Sequence, residues 1–500
     1  MTDRSARIGT GRGPLPFRLG PSLLVVAISA FAGAGSAQQP LSASDWLSGS
    51  VRGPARESSA WRPIPRPSME PSTLPVATSG AVSPVQVSRL ADVDRDAAGI
   101  ITASRAGLPA GLWAGSDPGE LARLVLQTPA RLPAMSDLLI RILTAQLTPP
   151  AISQTDQRGK LFLARADRLL DMGALTPADQ LLLSAGPGDP EVFRRLFDIA
   201  LLTGEEGRAC HEMDDTPGVA PSFSARIFCL AQTGDWAAAA ISLRGAETLG
   251  LLNAQQSLLL THFLDDAFVD GGESLTPSDR VTPLEFRIHE AIGQPLPTGP
   301  LPIAFAHSDL RMNNGWKARL EAAERLARAN AIPASILRGI YTEQKPAASG
   351  GVWERAGVMR TLEAAIAAGN PLTALPPAFE EFRRNGMTHV LAAMVAEDMP
   401  ADGTGEAGDM AIWLRQWQGL PVPRPVDIPD ELASDQQSTP PERQGEALLQ
   451  AMSDIDAGMD GDLLRAGKGL AMLRALGLQK DATLAATQLA LLPRFTEAPK

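Results

Sequence analysis

Residues 232–239 read Gln-Thr-Gly-Asp-Trp-Ala-Ala-Ala and separate two segments that are rich in Ala, Leu and Ile. Gly234 can adopt the left-handed backbone conformation in which many helices end, and Asp235 can cap the helix that follows. The alanines after Trp236 leave room for two helices to pack closely. The stretch therefore predicts a tight turn between two paired helices.

Similar turns recur along the chain. Residues 204–209, which begin 30 positions before Gly234, read Gly-Glu-Glu-Gly-Arg-Ala. A second pattern recurs at residues 168–177, 250–253, 325–333 and 473–478. In each of these stretches a helix is expected to end at Gly or Asn, and an aliphatic residue precedes the next helix. Self-similar hairpins of this kind bury their apolar faces only on their neighbours. We therefore predict an all-α fold, with a helical-repeat solenoid over residues 98–420.

The turn at residues 232–239 resembles the Gly-Asp-Tyr-x-x-Ala turn of tetratricopeptide repeats, with Trp236 at the aromatic position. The turn at residues 204–209 lacks the aromatic residue, and the spacing of 30 residues is shorter than the family's repeat of about 34. The resemblance implies tetratricopeptide-like helical hairpins. These phrases, with residues 324–326 and 349–353, also resemble a group of exported alphaproteobacterial helical proteins, some described as "antifreeze glycopeptide polyprotein". That resemblance spans roughly residues 90–500 and implies no activity.

Capping signals and composition also favour helices. Asp117-Pro118, Thr176-Pro177 and Asp189-Pro190 each place a capping side chain before a proline at the first helical position. Aromatic residues make up only 5% of the chain, which argues against a large β-sandwich or barrel. The glycines predicted to end helices are Gly173, Gly204, Gly234, Gly250, Gly369 and Gly477.

Residues 1–37 have the pattern of a secretory signal peptide. Four arginines precede an apolar run at residues 23–34, and Gly35-Ser36-Ala37 supplies the small residues that signal peptidase requires. The run is shorter than the roughly 20 residues of a transmembrane helix. We predict export to the periplasm by the general secretory route, with no integral membrane segment after cleavage. The alternative is an uncleaved N-terminal anchor in the inner membrane.

Residues 38–97 are rich in Pro and Ser and show little apolar periodicity, so we predict a disordered linker. It contains a short apolar motif formed by Leu41, Trp46, Leu47 and Val51. One interpretation is a candidate partner-binding motif that docks into a groove on a partner or on the protein's own body. The other is an incidental exposed tryptophan.

Prolines mark a second break at residues 421–442. Beyond it, residues 443–500 are predicted to form a helical hairpin and a last helix. This C-terminal segment either caps the end of the solenoid or folds as a small separate unit, and we favour the cap.

The chain contains two cysteines, Cys210 and Cys229. An isolated pair in an exported protein predicts a disulfide. The alternatives are two buried free thiols or metal ligands that act with His211 and Glu212.

Two acidic segments resemble calcium loops without completing them. Residues 92–96 place carboxylates at loop positions 1, 3 and 5, but Ala97 occupies the glycine position and Ala103 the position of the closing glutamate. The segment at residues 454–462 also lacks the closing glutamate. We interpret both as acidic caps and turns.

From the remaining motifs we predict no catalytic, cofactor-binding or metal site. The histidines, at positions 211, 262, 289, 307 and 389, show no metal-ligand spacing. His262 with Asp265, Asp266 and Asp270 is the best acid–base cluster, interpreted as a helix end with a solvated loop. Residues 349–351 are interpreted as a turn, with an anion-binding nest as the alternative. Trp413 and Trp417, at i and i+4, are interpreted as a core face.

The net charge of −11 argues against a nucleic-acid partner, since phosphate contacts require a basic surface. We expect a non-catalytic scaffold or adaptor that binds an unknown protein of the cell envelope, through its concave surface or its Pro-rich arm. The alternative is a peptidoglycan-associated hydrolase, or an accessory subunit of one.

Overall fold

The computed structural model describes residues 46–47, 94–151, 157–216, 218–265, 274–433 and 442–496, with side chains up to residue 492. All of them belong to one compact unit, Pro40–Lys500. The predicted signal peptide and most of the predicted linker, including Leu41 and Val51, lie outside the described residues. The protein is mostly helical, as predicted, with 22 α-helices in the described ranges.

The helices, numbered here in chain order, follow one another with short connections. The first eleven are α1 (Ala103–Ala106), α2 (Pro118–Gln127), α3 (Pro133–Thr144), α4 (Lys160–Asp171), α5 (Leu175–Ser184), α6 (Pro190–Thr203), α7 (Glu206–Asp215), α8 (Phe223–Gln232), α9 (Trp236–Thr248), α10 (Ala254–Leu264) and α11 (Pro283–Ala291). The remainder are α12 (Ala306–Asp309), α13 (Trp316–Arg328), α14 (Ala334–Glu343), α15 (Val352–Ala367), α16 (Leu375–Arg384), α17 (Thr388–Val395), α18 (Gly405–Trp417), α19 (Asp430–Ala433), α20 (Gln444–Asp456), α21 (Leu463–Ala475) and α22 (Gln479–Thr496).

Strands are nearly absent from this part of the chain. The two-residue strands β1 (Ile101–Thr102) and β2 (Ala145–Gln146) pair in parallel. Arg165, which is fully buried on α4, donates to the carbonyls of Leu143 and Ala145 at 2.8 Å each. It therefore holds this short ladder against the helices.

Most predicted caps are confirmed. The side chains of Asp117, Asp189 and Asp235 accept hydrogen bonds from backbone amides in the first turns of α2, α6 and α9. The prediction for Thr176-Pro177 is wrong, because α5 already begins at Leu175, after Ala174 as N-cap. A proline is compatible with the whole first turn of a helix, so it marks the start only to within a few residues.

The six glycines predicted to end helices all adopt left-handed φ angles, between 64° and 90°. Asn330, at the end of the phrase at residues 325–333, does the same with φ 55°. These residues close hairpins at positions where most residues with a Cβ would be strained and which Gly and Asn tolerate best.

The predicted linker ends earlier than residue 97. Residues Arg95–Ala97 form a 3₁₀ helix, and Asp96 is fully buried. Its carboxylate accepts from the amides of Gly159, at 2.9 Å, and Phe162, at 2.8 Å, and so caps the start of α4. The sequence prediction of disorder is wrong for residues 94–97, because one acidic side chain satisfies an otherwise unpaired helix terminus.

Helices pack serially through much of the chain. From α4 to α11 and from α13 to α18, each helix contacts the next one in sequence. Two apolar clusters lie within these segments, one built from residues of α6–α11 and one mainly from residues of α12–α18. Packing onto sequence neighbours is the arrangement expected of helical hairpins.

The C-terminal helices depart from serial packing. Helix α20 packs against α2, and α22 packs against both α3 and α18. Gln488 on α22 accepts from the amide of Ala134 and donates to the carbonyl of Trp417, both at 3.0 Å. A Cβ at Gly445 would lie 2.4 Å from the Trp113 ring, so only glycine fits there without a shift. The C-terminal helices thus cover the first helices of the chain as well as α18.

Among the helices that the structure describes, none combines the length and the apolar character needed to cross a membrane.

Candidate functional site

A disulfide joins Cys210 on α7 to Cys229 on α8, which confirms the prediction. Both residues are buried. The bond excludes the alternatives of free thiols and of cysteine metal ligands. It fixes two helices immediately before the turn at residues 232–239, so the following hairpin projects from a cross-linked base.

Helices α9 and α10 form that hairpin. Asp235 Oδ1 accepts from the amide of Ala238 at 3.0 Å, which starts α9. One side of α9 is buried through Ala239, Leu243 and Ala246. At its base the Trp236 ring lies 6.0 Å from the ring of Phe263 on α10. On the other side of the turn at residues 232–239, α9 packs against α8, which confirms the predicted pair of helices.

Several apolar residues along α9 and at its C-cap, Leu249, are uncovered. We call these residues the α9 face; they are Trp236, Ala237, Ala240, Ile241 and Leu249, of which Ala237 and Ile241 lie opposite the buried side. The exposed fractions of Trp236, Ile241 and Leu249 are 51%, 73% and 72%, and the two alanines are exposed as well. Clustered exposed apolar residues mark interaction sites.

Polar side chains interrupt this surface, and the exposed Glu247 flanks it. Arg244 and Thr248 are exposed on the same side of the helix, and Thr248 Oγ1 donates to the Arg244 carbonyl at 2.8 Å. Gly245 lies between them, and a Cβ there would meet no atom within 4 Å. The small residues Ala237, Ala240 and Gly245 therefore lie between the larger Trp236, Ile241 and Leu249, which suits contact with another helix.

Behind the hairpin, a cavity of about 250 Å³ lies between α8, α10 and α11. Its walls include Gln255, Gln256, Leu259 and Glu285. The Oγ atom of Ser224, also in the wall, is buried and has no hydrogen-bond partner within the described chain. The cavity is mixed in polarity.

Trp46, from the short apolar motif in the predicted linker, is covered by the protein itself. The exposed fractions of Trp46 and Leu47 are 7% and 5%, so the interpretation as an incidental exposed tryptophan is wrong. The Trp46 ring meets that of Phe305 edge-on at 5.8 Å. Its Nε1 donates to Asp171 Oδ1 at 3.4 Å.

The acidic segments act as caps and ion-pair partners. Asp94 caps the 3₁₀ helix that contains Asp96, and burial raises the pKa of Asp96. In the second segment, Asp454 accepts from Arg465 Nε at 2.8 Å, and Asp462 caps α21. Across residues 94–151, 157–216, 218–265, 274–433 and 442–492, no group of three or more His, Cys, Asp or Glu side chains could hold a metal ion.

A larger polar cavity, of about 450 Å³, lies between α2 and α20. Three arginines line it, but their charges are engaged: Arg131 pairs with Asp456 and Asp460 at 2.7 and 2.6 Å. Arg123 pairs with Glu120, and Arg465 with Asp454. This cavity therefore presents no unsatisfied basic group to an anion.

The remaining candidate residues from the sequence lie in the core, in a turn or at a helix end. Trp413 and Trp417 are buried and stack at 4.9 Å, which confirms a core face. Gly350 and Gly351 have left-handed φ angles in the exposed turn before α15. His262 is buried near the end of α10, Asp265 follows that helix, and Asp266 and Asp270 lie outside the described residues.

Sequence reasoning missed two buried ion-pair networks. Arg195 on α6 bonds both oxygens of Asp167 on α4, at 2.6 and 2.8 Å. Glu324 on α13 binds Arg355 on α15 and accepts from the Tyr341 hydroxyl on α14, each at 2.7 Å. Each network joins helices and lies in the core, so it contributes to structure. Burial beside Glu324 also raises the pKa of Tyr341.

The α9 face was missed as well, although a signal was present. Residues 236–241 read Trp-Ala-Ala-Ala-Ala-Ile, which leaves no polar side for solvent in the first half of the helix. A segment without polar periodicity predicts a helix that is covered on two sides.

Three histidines lie in surroundings that disfavour the protonated, charged form of the imidazole. Burial lowers the pKa of His289, His307 and His389. His307 Nε2–H donates to the Gly173 carbonyl at 2.7 Å, which ties α12 to the α4–α5 turn.

We expect the free energy of unfolding to fall as the pH drops from 7 to 5. The unfolded chain binds a proton at each of these histidines near pH 6.5, whereas the folded chain resists protonation. Stability present above that pH is therefore lost below it. Urea unfolding at several pH values should show a shallower dependence for His307→Asn, by at most about 1.4 kcal/mol per pH unit. His211→Asn is the matched control, since the His211 side chain is 81% exposed; equal slopes for both variants would contradict the assignment.

Compared with protein-family models, with curated proteins and with solved structures, the chain gives no match.

Proposed function

We propose that the protein is a non-catalytic scaffold of the cell envelope, and that it binds a partner protein through the α9 face. The single observation that carries the proposal is this uncovered apolar surface, in which Ile241 and Leu249 are 73% and 72% exposed. A surface of that kind gains free energy when another protein removes it from water.

The arrangement around the surface supports the same role. The disulfide between Cys210 and Cys229 fixes α7 to α8, and Trp236 rests on Phe263 at one edge of the face. A rigid surface loses less conformational entropy on binding than a mobile one. We propose further that α4–α11 form a solenoid segment of tetratricopeptide-like hairpins, in keeping with their serial packing.

Location in the periplasm is part of the proposal and rests on the predicted signal peptide at residues 1–37. The disulfide supports an oxidising compartment, since such bonds are rare in the cytosol. The alternative N-terminal anchor would retain the same surface on the periplasmic side of the inner membrane.

Site-specific photo-crosslinking in intact cells tests the proposal. A photoreactive residue at position 241 should give an adduct with a specific envelope protein. The same residue at position 464 should not, although Leu464 on α21 is 69% exposed. Absence of an adduct at position 241, or an adduct formed only with a second copy of the chain, would count against a scaffold for another protein.

Affinity for the partner identified in this way provides the quantitative test. We expect Ile241→Glu together with Leu249→Glu to weaken binding at least tenfold, because burial of one large aliphatic side chain is worth about 1.5–3 kcal/mol. The matched control is Leu464→Glu, which should bind as wild type. Thermal unfolding should be unchanged in both variants, because these side chains project into solvent.

A further inference from the structure

The groove that holds Trp46 is built by three separate parts of the chain. Asp171 ends α4, Phe305 ends the 3₁₀ helix Ile303–Phe305, and Phe286 lies on α11. Trp46 contacts the first two, and the rings of Phe286 and Phe305 lie 5.4 Å apart. The tryptophan therefore enters an aromatic pocket with a carboxylate at its edge.

The walls are held together by contacts that do not involve Trp46. His307 donates to the Gly173 carbonyl at 2.7 Å. Beside it, Gly173 approaches Ile303 so closely that a Cβ would lie 3.1 Å from the isoleucine side chain. Helix α12 also contacts α6. Because these contacts join the walls directly, the groove can keep its shape when Trp46 is absent.

The segment in the groove has the composition of a linear recognition motif. Residues 44–50 read Ser-Asp-Trp-Leu-Ser-Gly-Ser, so two large apolar residues stand among small and polar ones. Trp46 and Leu47 are nearly fully buried, and a buried tryptophan removes about 150–250 Å² from water. Aromatic anchors in preformed pockets dominate peptide affinity.

The connection to the rest of the fold is long. In the sequence, residues 48–93 separate Leu47 from Asp94, where the next described stretch begins. A connection of this length lets the segment act as a tethered ligand, at an effective concentration on the order of millimolar.

We propose that this groove is a peptide-binding site that recognises a Trp-Leu pair in a partner protein, and that Trp46–Leu47 occupies it in the isolated chain. The Asp171 carboxylate selects a ring with an N–H donor, and Phe305 receives the ring by an edge-to-face contact. A partner segment of the same chemistry displaces the tethered one. The site is separate from the α9 face and does not rest on it.

Fluorescence anisotropy with a labelled peptide tests the proposal. The peptide carries residues 41–51, and the proteins are the full chain and its Trp46→Ala, Leu47→Ala variant. We expect the variant, whose groove is empty, to bind the peptide with a Kd in the micromolar range. The wild-type chain should bind about 100-fold more weakly, because its apparent Kd approaches the effective concentration of the tethered segment.

Three controls define the site. A peptide with Ala in place of Trp should bind neither protein, and Asp171→Asn in the variant background should weaken binding at least threefold. Ile241→Glu should leave peptide binding unchanged, which separates this site from the α9 face. Equal affinity of the peptide for wild type and variant would overturn occupancy of the groove by the chain itself.

A second measurement avoids dependence on the variant's folding. A protease site inserted between residues 60 and 80 of the wild-type chain allows the connection to be cut after folding. We expect the cut chain, but not the uncut chain, to exchange its N-terminal fragment for labelled peptide. Failure of both the cut chain and the folded variant to bind peptide would make Trp46–Leu47 a fixed part of the core and overturn the proposal.

Discussion

Replacement of Glu324 by Gln is expected to lower the free energy of unfolding by about 3–5 kcal/mol. The Glu324 carboxylate is buried and bonds Arg355 through both oxygens, at 2.7 Å each. It also accepts from the Tyr341 hydroxyl. The substitution leaves the guanidinium of Arg355 buried, with Glu381 at 3.7 Å as its nearest remaining acid. The large effect thus comes from a charge left poorly compensated in the core.

Two comparisons isolate that cause. Glu321→Gln is the matched control on the same helix, since Glu321 is 55% exposed and pairs with Lys317 at 3.5 Å; we expect no measurable change, as for most surface pairs. The triple variant Glu324→Leu, Tyr341→Phe, Arg355→Met removes every buried polar member and should recover most of the lost stability. Urea unfolding measures all three proteins. A triple variant less stable than Glu324→Gln would contradict the explanation.

Removal of the disulfide is expected to cost about 3 kcal/mol, from the loss of a loop constraint on the unfolded chain. The bond joins residues separated by 19 positions and lies in the apolar cluster of α6–α11. The double variant Cys210→Ala, Cys229→Ala should therefore unfold at lower urea concentration than wild type.

Reduction provides the control for that prediction. A reductant should lower the unfolding midpoint of the wild-type protein and leave that of the double alanine variant unchanged. Thiol titration of the wild-type chain under denaturing, non-reducing conditions should find no free thiol. Two titratable thiols would contradict the disulfide, and with it one support for an oxidising compartment.

Local chemistry made much of the fold predictable. Asp117, Asp189 and Asp235 cap helices because their side chains reach backbone amides within the same turn. Helix-ending glycines are equally local, since only the backbone of that residue must turn left-handed. The cysteine pair was predictable from its isolation in a chain with a predicted export signal.

The pairing of distant helices could not be predicted in this way. Apolar periodicity tells which side of α20 is buried, but an equally apolar surface on α18 or on α2 would satisfy it. The choice depends on shape, as at Gly445, where the absence of a side chain admits the ring of Trp113. Such complementarity becomes visible only when both surfaces are placed together.

The two candidate sites also differ in whether a local stretch of sequence or only the folded structure reveals them. The motif around Trp46 was identified as a segment able to dock, but its receptor is assembled from Asp171, Phe286 and Phe305, which no sequence spacing connects. The α9 face had a local signal in its run of alanines. That signal was interpreted as close helix packing, which holds for only one side of the helix.

Because the last helices pack against the first ones, the N-terminal helices cannot complete their packing until the C-terminal helices have been synthesised. Arg131 bonds Asp456, 325 residues later, and at 5–20 residues per second the ribosome needs about 16–65 s to make that stretch. Throughout this interval the sides of α2 and α3 that α20 and α22 later cover have no partner, although both helices already contact α4; holding chaperones are the natural means of covering them. A messenger truncated before residue 442 should therefore yield a product that proteases remove, rather than a shorter working protein.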